Sequence, residues 1–255
     1  MNPRNLNNRP SSILITGAAG GIGSALTRAY AAPGMHLFLG DLDARRMEAL
    51  TDICRTMGAN VAGTVVDVTD RKAMASWITE ADTVKPLDMV IVLAGISHGT
   101  IQQEETPEEI RAVFAVNLDG MLNTLEPILP RMRKRQRGQI ALMSSLAGFR
   151  GFAVAPSYCA SKSAIWAYAE GLRGRLLREH IGVSVIIPGF VKTTLTDYNP
   201  YPMPFRISAE RAARIIKRGL AQNKARIRFP GPFPAVVYLL SLLPPSWVDR
   251  FVTLK

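Results

Sequence analysis

A short apolar run that ends in a glycine-rich turn constrains the fold of this chain more than any other feature. Residues 12–16 read Ser-Ile-Leu-Ile-Thr, and glycines follow at positions 17, 21 and 23 before a helical pattern begins. A strand, a turn and a helix start in this order present backbone N–H groups and the positive end of a helix dipole to an anion. The segment therefore predicts a pyrophosphate site in a dinucleotide-binding α/β unit, although its G-x-x-x-G-x-G spacing departs from the commoner G-x-G-x-x-G.

The rest of the chain alternates short apolar runs with helical stretches. This alternation predicts an α/β fold, a Rossmann-type doubly wound parallel sheet of about seven strands with helices on both faces. Residues 12–255 are long enough for one such domain, and the polar residues 1–11 are predicted to be disordered. The apolar runs centre near Ile13, Leu37, Val65, Val90, Ile140 and Val185.

Capping residues predict where several helices begin. Asp43, Asp70 and Thr106 each precede a helical pattern, and Thr106 is followed by a proline and two glutamates. These residue types favour the N-cap and the first turn of a helix. A further helix is predicted over residues 208–222, and strands are predicted over 36–40, 61–68 and 87–95.

A tyrosine and a lysine in the segment YCASK form the strongest candidate for catalysis. Tyr158 and Lys162 are four residues apart, so a helix places them on one face, about one turn from each other. A lysine cation at that position lowers the pKa of the phenol and makes the tyrosine a usable general acid or base. Ser145 precedes Tyr158 by thirteen residues and is a candidate hydrogen-bond donor to a reacting oxygen.

Together these motifs resemble the short-chain dehydrogenase/reductase family, whose signature is TGxxxGIG followed far downstream by a serine and YxxxK. The resemblance runs from about Ser12 to about Pro230. It implies that Ser145, Tyr158 and Lys162 are catalytic, with Lys162 also holding the nicotinamide ribose. It further implies that Asn117, in the sequence Asn-Leu-Asp-Gly, orders a water beside this lysine.

The same resemblance implies a set of residues around a bound dinucleotide. Asp67 is expected near the adenine ring and Thr193 near the nicotinamide carboxamide. The segment before Ala94 and Gly95 departs from the family's Asn-Ala-Gly, because position 93 is leucine. The predicted cofactor-binding residues are Gly17, Gly21, Ile22, Gly23, Asp41, Asp67, Val68, Ala94, Gly95, Tyr158, Lys162, Pro188, Gly189, Val191 and Thr193.

Asp41 bears on the choice between NAD and NADP. It follows the second predicted strand, where a carboxylate accepts hydrogen bonds from the adenosine ribose and repels a 2′-phosphate. NAD is therefore predicted, with NADP less favoured. A role as helix cap explains Asp43 better than Asp41, and Arg45 and Arg46 keep NADP open as an alternative.

The activity implied by the resemblance is hydride transfer between nicotinamide and a secondary alcohol or ketone. The implied substrate pocket consists of a lid over residues 194–207 together with residues near Leu146, Phe149 and Phe152. Prolines and aromatic residues make the lid a stiff, partly apolar cover, and a sugar ring, a steroid-like body and an acyl chain all stay open as substrates. Family members are usually dimers or tetramers, so a homodimer or homotetramer is expected.

Composition indicates the environment of the protein. Two cysteines and no apolar signal sequence favour a reducing cytoplasm. Histidines and cysteines are too scattered for a metal site. Cys159 has no histidine partner in any motif and is interpreted as a small buried residue, whereas His98 is either polar surface or a substrate contact.

The net charge of +11 is concentrated in two basic clusters, at residues 131–137 and 206–228. A solvated helix face and a helix C-terminus account for both clusters. They lack the interleaved aromatic residues of nucleic-acid sites, so no nucleic-acid partner is predicted. Attraction of an anionic substrate, partner or membrane surface remains an alternative.

The C-terminal extension, residues 230–255, contains an apolar segment over 234–243. Ten residues are too few to span a bilayer as a helix, which needs about twenty. Packing within the subunit or against another subunit is favoured, and binding at a membrane interface is the alternative. That alternative describes a peripheral reductase of a lipid or glycoconjugate. A nucleotide-binding regulatory protein on this fold is less consistent with the presence of all four catalytic residues.

Overall fold

The fold is seen in a computed structural model that describes residues 10–98, 104–193, 196, 203, 205–244 and 246–247. Its strands form one parallel sheet in the order β3-β2-β1-β4-β5-β6-β7, which confirms the predicted doubly wound Rossmann-type architecture. The strands are β1 (Ser12–Thr16), β2 (His36–Asp41), β3 (Asn60–Val65), β4 (Met89–Val92), β5 (Gly138–Met143), β6 (Ile181–Pro188) and β7 (Arg226–Phe229).

Helices connect the strands and cover both faces of the sheet. A π-helical turn, Ala115–Asp119, interrupts the fourth connection, and 3-10 turns occupy Leu146–Gly148 and Leu177–Glu179. The α-helices are α1 (Gly21–Tyr30), α2 (Ala44–Thr56), α3 (Arg71–Val84), α4 (Pro107–Phe114), α5 (Gly120–Arg135), α6 (Pro156–Leu176), α7 (Ala209–Ala221) and α8 (Phe233–Ser241).

Alternate residues of the central strands point to two separate apolar layers. Ile13 and Ile15 pack in the layer under α1, α2 and α7, whereas Leu14 packs in the layer under α3, α5 and α6. Full burial of one such side chain stabilises the fold by about 1.5–3 kcal/mol. The two layers hold the sheet rigid and leave the carboxyl ends of its strands as the place for a site.

The predicted helix starts are confirmed by their hydrogen bonds. The carboxylate of Asp43 accepts from the backbone N–H of Arg46, and that of Asp70 accepts from Lys72 and Ala73. Thr106 forms a complete capping box with Glu109. Helix α7 begins directly after Ser208, as the sequence predicts.

Two strands are shorter than predicted, and local hydrogen bonds explain why. The predicted strand 61–68 ends at Val65, because the Asp67 carboxylate accepts from both the N–H and the hydroxyl of Thr69 and turns the chain. Of the predicted strand 87–95, only Met89–Val92 (β4) forms a strand. The N–H of Leu87 is used by Asp82, and beyond Leu93 the backbone leaves the sheet toward the candidate site.

Ion pairs within the fold use much of the first basic cluster. Arg131 and Arg135 both pair with the buried carboxylate of Asp82, at 3.4 and 2.8 Å. Arg137 pairs with Asp88, which also accepts hydrogen bonds from Ser11. The end of the predicted disordered segment is thus fixed to the sheet, while residues 1–9 lie outside the described residues. Within the described residues, no helix combines the length and the apolar character needed to cross a bilayer.

Candidate active site

Tyr158 and Lys162 lie on one face of α6, as their spacing predicts. The ammonium nitrogen of Lys162 is 5.4 Å from the centroid of the Tyr158 ring. Lys162 is almost fully buried, and its Nζ donates to the carbonyl of Met143, the last residue of β5, at 3.1 Å. Helix α6 is therefore fastened to the carboxyl end of the sheet through the lysine itself.

Burial sets the protonation of this lysine. Removal from water disfavours the cation and lowers the pKa of Lys162 to about 8. The ammonium group is thus close to its titration point in the physiological range. At neutral pH the cation is still the major form, and it lies beside the Tyr158 phenol.

Asn117 connects the π-helical turn to the loop that follows β4. Its Oδ1 accepts from the N–H of Ile96 at 2.8 Å, and its Nδ2 donates to the Ile96 carbonyl at 3.0 Å. The same Nδ2 donates to the Ser161 hydroxyl at 2.9 Å, beside Lys162 in α6. A side chain on Gly95 would lie 3.0 Å from Asn117 Oδ1 and 3.2 Å from Lys162 Nζ. Asn117, Ile96, Ser161, Gly95 and Lys162 therefore meet at one point, and π-helical turns are frequent at functional sites.

Two adjacent serines end the fifth strand in different ways. Ser144 is buried and donates to the backbone carbonyl of Lys162 at 2.7 Å. Ser145 begins the 3-10 turn, and its hydroxyl oxygen accepts from the N–H of Ala147 at 3.1 Å. A hydroxyl that accepts in this way keeps its hydrogen for another acceptor, so Ser145 has the chemistry expected of a donor to a substrate oxygen.

The glycine turn packs against two segments that are distant in sequence. Gly17 has φ of +67°, and a Cβ there would lie 2.7 Å from the nitrogen of Ala94. A Cβ on Gly21 would lie 2.5 Å from Cγ2 of Thr193. Only glycine permits this closeness. The turn thus brings together four predicted cofactor residues, and it leads directly into α1 with Ile22 and Gly23 in its first turn.

Asp41 ends β2 and is bonded to the same turn. One carboxylate oxygen accepts from the N–H of Ala19 at 2.9 Å, and the other accepts from the N–H of Asp43 at 3.2 Å. A negative charge is therefore held at the edge of the turn. The bond to Ala19 is not foreseen from the sequence, because it joins the end of β2 to the turn after β1 through the packing of the sheet.

The remaining predicted cofactor residues occupy the neighbouring strand ends. Asp67 forms the turn with Thr69. The Val68 side chain is buried against Gly120, and its carbonyl accepts from Asn123. Pro188 ends β6, Gly189 donates from its N–H to Phe229, and Val191 is buried beside Ile207.

Part of the predicted lid is fixed by a threonine. Thr196 donates to the carbonyl of Val191 at 2.6 Å, accepts from the N–H of Thr193 at 3.2 Å and accepts from Arg206 at 3.0 Å. These bonds tie Thr196 to the segment directly after β6, where Thr193 lies against Gly21 of the glycine turn. Residues 194–195, 197–202 and 204 of the predicted lid lie outside the described residues.

Two of the expected pocket residues have apolar partners within the fold. Leu146 is buried in the apolar core, and Phe149 packs edge-on against Trp166 and Tyr238, with centroid distances of 4.3 and 5.6 Å. Phe152 is partly buried, and its N–H points to Cys159 Sγ.

The structure also shows the surroundings of His98 and Cys159, for which the sequence left two interpretations. His98 Nδ1 lies 3.6 Å from the Glu109 carboxylate at the start of α4. Cys159 is buried, and burial raises the pKa of its thiol, which disfavours the nucleophilic thiolate. No group of residues suited to a metal ion occurs in the described part of the chain.

Comparison with known proteins identifies the family. Residues 11–201 match the family model of the short chain dehydrogenases. An uncharacterised oxidoreductase of Myxococcus xanthus (strain DK1622) is 34% identical over 238 residues, which cover 92% of this chain and 94% of the relative. A galactitol 2-dehydrogenase (L-tagatose-forming) of Cereibacter sphaeroides is 35% identical over 185 residues, or 71% and 72% of the two chains.

A solved structure agrees with these relatives. A 3-oxoacyl-[acyl-carrier protein] reductase from Brucella melitensis with bound NAD superposes with a TM-score of 0.73 at 27% identity, covering 89% of each chain. The present chain belongs to the short-chain dehydrogenase/reductase family and is an oxidoreductase. The family uses NAD or NADP, and its members act on small molecules.

Proposed function

We propose that this enzyme transfers a hydride between NAD and a secondary alcohol or ketone, with Tyr158 moving the proton. The observation that carries the proposal is the meeting of Lys162, Asn117 and Gly95 beside Tyr158. Burying a lysine cation costs free energy unless a nearby group stabilises its charge. Here it faces a phenol that lies on the same helix face.

The chain contains the features that a dinucleotide requires. Gly17 and Gly21 allow the turn to pack tightly against Ala94 and Thr193, and the turn leads into the N-terminus of α1, where backbone N–H groups suit a pyrophosphate. Bound NAD would supply the hydride chemistry. Its binding residues would be those of the glycine turn and the strand ends, with Asp41 at the adenosine ribose, Thr193 at the nicotinamide carboxamide and Lys162 at the nicotinamide ribose.

Proton transfer follows from the groups around Tyr158. The Lys162 cation stabilises the phenolate, so the phenol can give its proton to a carbonyl oxygen or, as phenolate, take one from an alcohol. Ser145 donates a hydrogen bond to the same substrate oxygen, where negative charge develops. Asn117 fixes the loop at Ile96 beside Lys162, and the relay water would lie in this region.

The fixed charge of Asp41 supports NAD over NADP. Its two oxygens accept from the N–H groups of Ala19 and Asp43, and these bonds favour the present position of the charge, which would repel a 2′-phosphate. Arg46, which could have favoured NADP, lies 3.1 Å from the Asp43 carboxylate. That ion pair reduces its attraction for a second phosphate.

The proposal is tested by nicotinamide absorbance with a panel of sugar alcohols, steroid ketones and short 3-oxoacyl thioesters, each with NAD and with NADP. We expect turnover with NAD, and we expect Tyr158→Phe to lower it by about a hundredfold or more. Tyr168→Phe, on the exposed side of the same helix, is the matched control and should retain turnover. Turnover by Tyr158→Phe at the wild-type rate would show that the mechanism is wrong. We further propose that the active species is a homodimer or homotetramer.

A further inference from the structure

Helix α8 and the residues after it carry an exposed apolar surface, which we call the apolar ridge. It is formed by part of a stretch of twenty uncharged residues, from Phe229 to Val248. Leu239, Leu242 and Trp247 are 63–65% exposed. Large exposed apolar patches mark interaction sites. The ridge consists of Val236, Leu239, Leu240, Leu242, Leu243 and Trp247.

The ridge is presented by a helix that is firmly attached on its inner side. Val237 packs against the apolar layer of α6, and the Tyr238 ring lies 5.6 Å from the ring of Phe149. The Arg150 guanidinium donates to the carbonyls of Leu240 and Leu243 at 3.2 and 3.1 Å. These contacts leave the ridge facing outward, so packing within the subunit accounts for only one side of α8, and packing against another subunit stays a prediction.

Arginines surround the ridge on the same face of the sheet. Ile227 and Phe229 of β7 are buried in the opposite layer, so the alternating residues Arg226 and Arg228 project toward the α6 side. The Arg226 guanidinium pairs with the Glu170 carboxylate and lies 5.3 Å from the Trp166 ring, which packs against Phe149. A continuous stack therefore leads from an arginine at the sheet edge to Tyr238 of α8.

We infer that the apolar ridge docks this protein on an anionic lipid surface, with α8 lying in the plane of the interface. Leucines and a tryptophan suit the boundary between headgroups and acyl chains, and the adjacent arginines suit anionic headgroups. A nine-residue helix is roughly 14 Å long, less than half of the ~30 Å hydrocarbon core, so it lies on the bilayer and does not span it.

Charge distinguishes this surface from a contact between two copies of the chain. In a symmetric contact through the ridge, both copies would bring the positive charges of Arg150 and Arg228 to the same interface. The chain as a whole carries a net charge of +11. Apolar contact between copies would therefore be opposed by repulsion, whereas anionic headgroups would neutralise the same arginines.

The test is flotation of the full-length chain with vesicles of phosphatidylcholine alone and of phosphatidylcholine mixed with phosphatidylglycerol. We expect binding to the anionic vesicles that weakens as salt is added. The double variant Leu239→Glu, Leu242→Glu should lower the partition coefficient by about tenfold or more. Its matched control, Val84→Glu, Leu177→Glu, changes two exposed apolar residues on other elements and should bind as the wild type does.

A second pair of variants tests the charge. Arg228→Gln should weaken binding to anionic vesicles by about fivefold, whereas Lys72→Gln, which removes an equal charge at the start of α3, should not. Circular dichroism confirms that each variant is folded. The proposal is overturned if the wild-type chain binds neither vesicle type. It is also overturned if the Leu239→Glu, Leu242→Glu variant binds like the wild type. A ridge variant that instead splits an oligomer in lipid-free solution shows that the ridge joins two copies, which also overturns it.

Discussion

Asn117 binds the backbone of Ile96 through both polar atoms of its side-chain amide, accepting from the N–H and donating to the carbonyl. The remaining amide hydrogen is donated to Ser161, so both hydrogens of Nδ2 are used. This arrangement fixes the loop after β4 against α6. It makes the side chain of Asn117 a positioning group for the region around Lys162.

The first prediction separates this role from ordinary stability. Asn117→Ala leaves the Ile96 N–H and carbonyl without their buried partner and should lower the free energy of unfolding by about 1–3 kcal/mol. Asn123→Ala, a control, removes another buried amide that binds the Val68 carbonyl and should destabilise by a similar amount. Only Asn117→Ala should also reduce kcat. Chemical unfolding and steady-state kinetics measure both, and equal kcat values in the two variants would contradict the assignment.

The second prediction concerns the glycine turn. Gly17→Ala places a Cβ 2.7 Å from the Ala94 nitrogen and forces a positive φ on a residue with a side chain. We expect a loss of NAD affinity and a lower melting temperature. Gly171→Ala, on the open surface of α6, should instead stabilise the chain by up to about 1 kcal/mol without affecting NAD. Isothermal titration and thermal unfolding distinguish the two, and normal NAD binding by Gly17→Ala would count against the turn as the pyrophosphate site.

The third prediction is a pH dependence of stability. Burial lowers the pKa of Lys162 to about 8, below the value of 10.5 expected in the unfolded chain. The folded state therefore loses its proton first, so its stability rises as the pH increases from 8 to 10.5. The full effect is about 3 kcal/mol, at 1.36 kcal/mol for each pKa unit. Below pH 8 the destabilisation by the buried cation is fully present.

Replacing Lys162 by methionine isolates the pH dependence of stability that the lysine causes. The free energy of unfolding of the single variant Tyr158→Phe should increase between pH 8 and 10.5 relative to that of the double variant Tyr158→Phe, Lys162→Met. The phenylalanine background removes titration of the phenol from both proteins. Parallel curves from pH 7 to 10.5 would show that the pKa of Lys162 is not depressed.

The fourth prediction uses the two functions of the Asp41 carboxylate. Asp41→Asn keeps an oxygen that can accept from Ala19 but removes the charge. It should raise the affinity for NADP relative to NAD by about tenfold, equivalent to about 1.4 kcal/mol. Asp41→Ala also loses the bond to the turn and should weaken both cofactors. Fluorescence titration gives the four dissociation constants, and a wild-type chain that already prefers NADP would contradict the interpretation.

The sequence predicts those parts of the site whose geometry depends on a single element. The spacing of Tyr158 and Lys162 places them on one helix face, and the glycine turn follows from a strand, a turn and a helix in order. Asp41 and Ala19 could not be paired from the sequence, because their contact joins two strand ends through packing of the sheet. The orientation of Phe149 also could not be predicted from the sequence, because its partners Trp166 and Tyr238 come from two later helices.

The ends of strands also could not be predicted accurately from the sequence. Residues 66 and 68 are apolar and buried, so they extend the predicted third strand beyond its true end at Val65. Burial alone does not distinguish a strand from a buried turn. The Asp67 carboxylate that turns the chain is a residue whose polar interactions are also compatible with a cofactor contact.

The bonds between Arg150 and the end of α8 create a thermodynamic connection between two parts of the enzyme. Phe149 and Arg150, which hold the helix, follow Ser145 by only four and five residues. A substrate that shifts this short segment would change how strongly α8 is held. Linkage is reciprocal, so whatever binds α8 more tightly in the shifted state must raise the affinity for that substrate by the same factor.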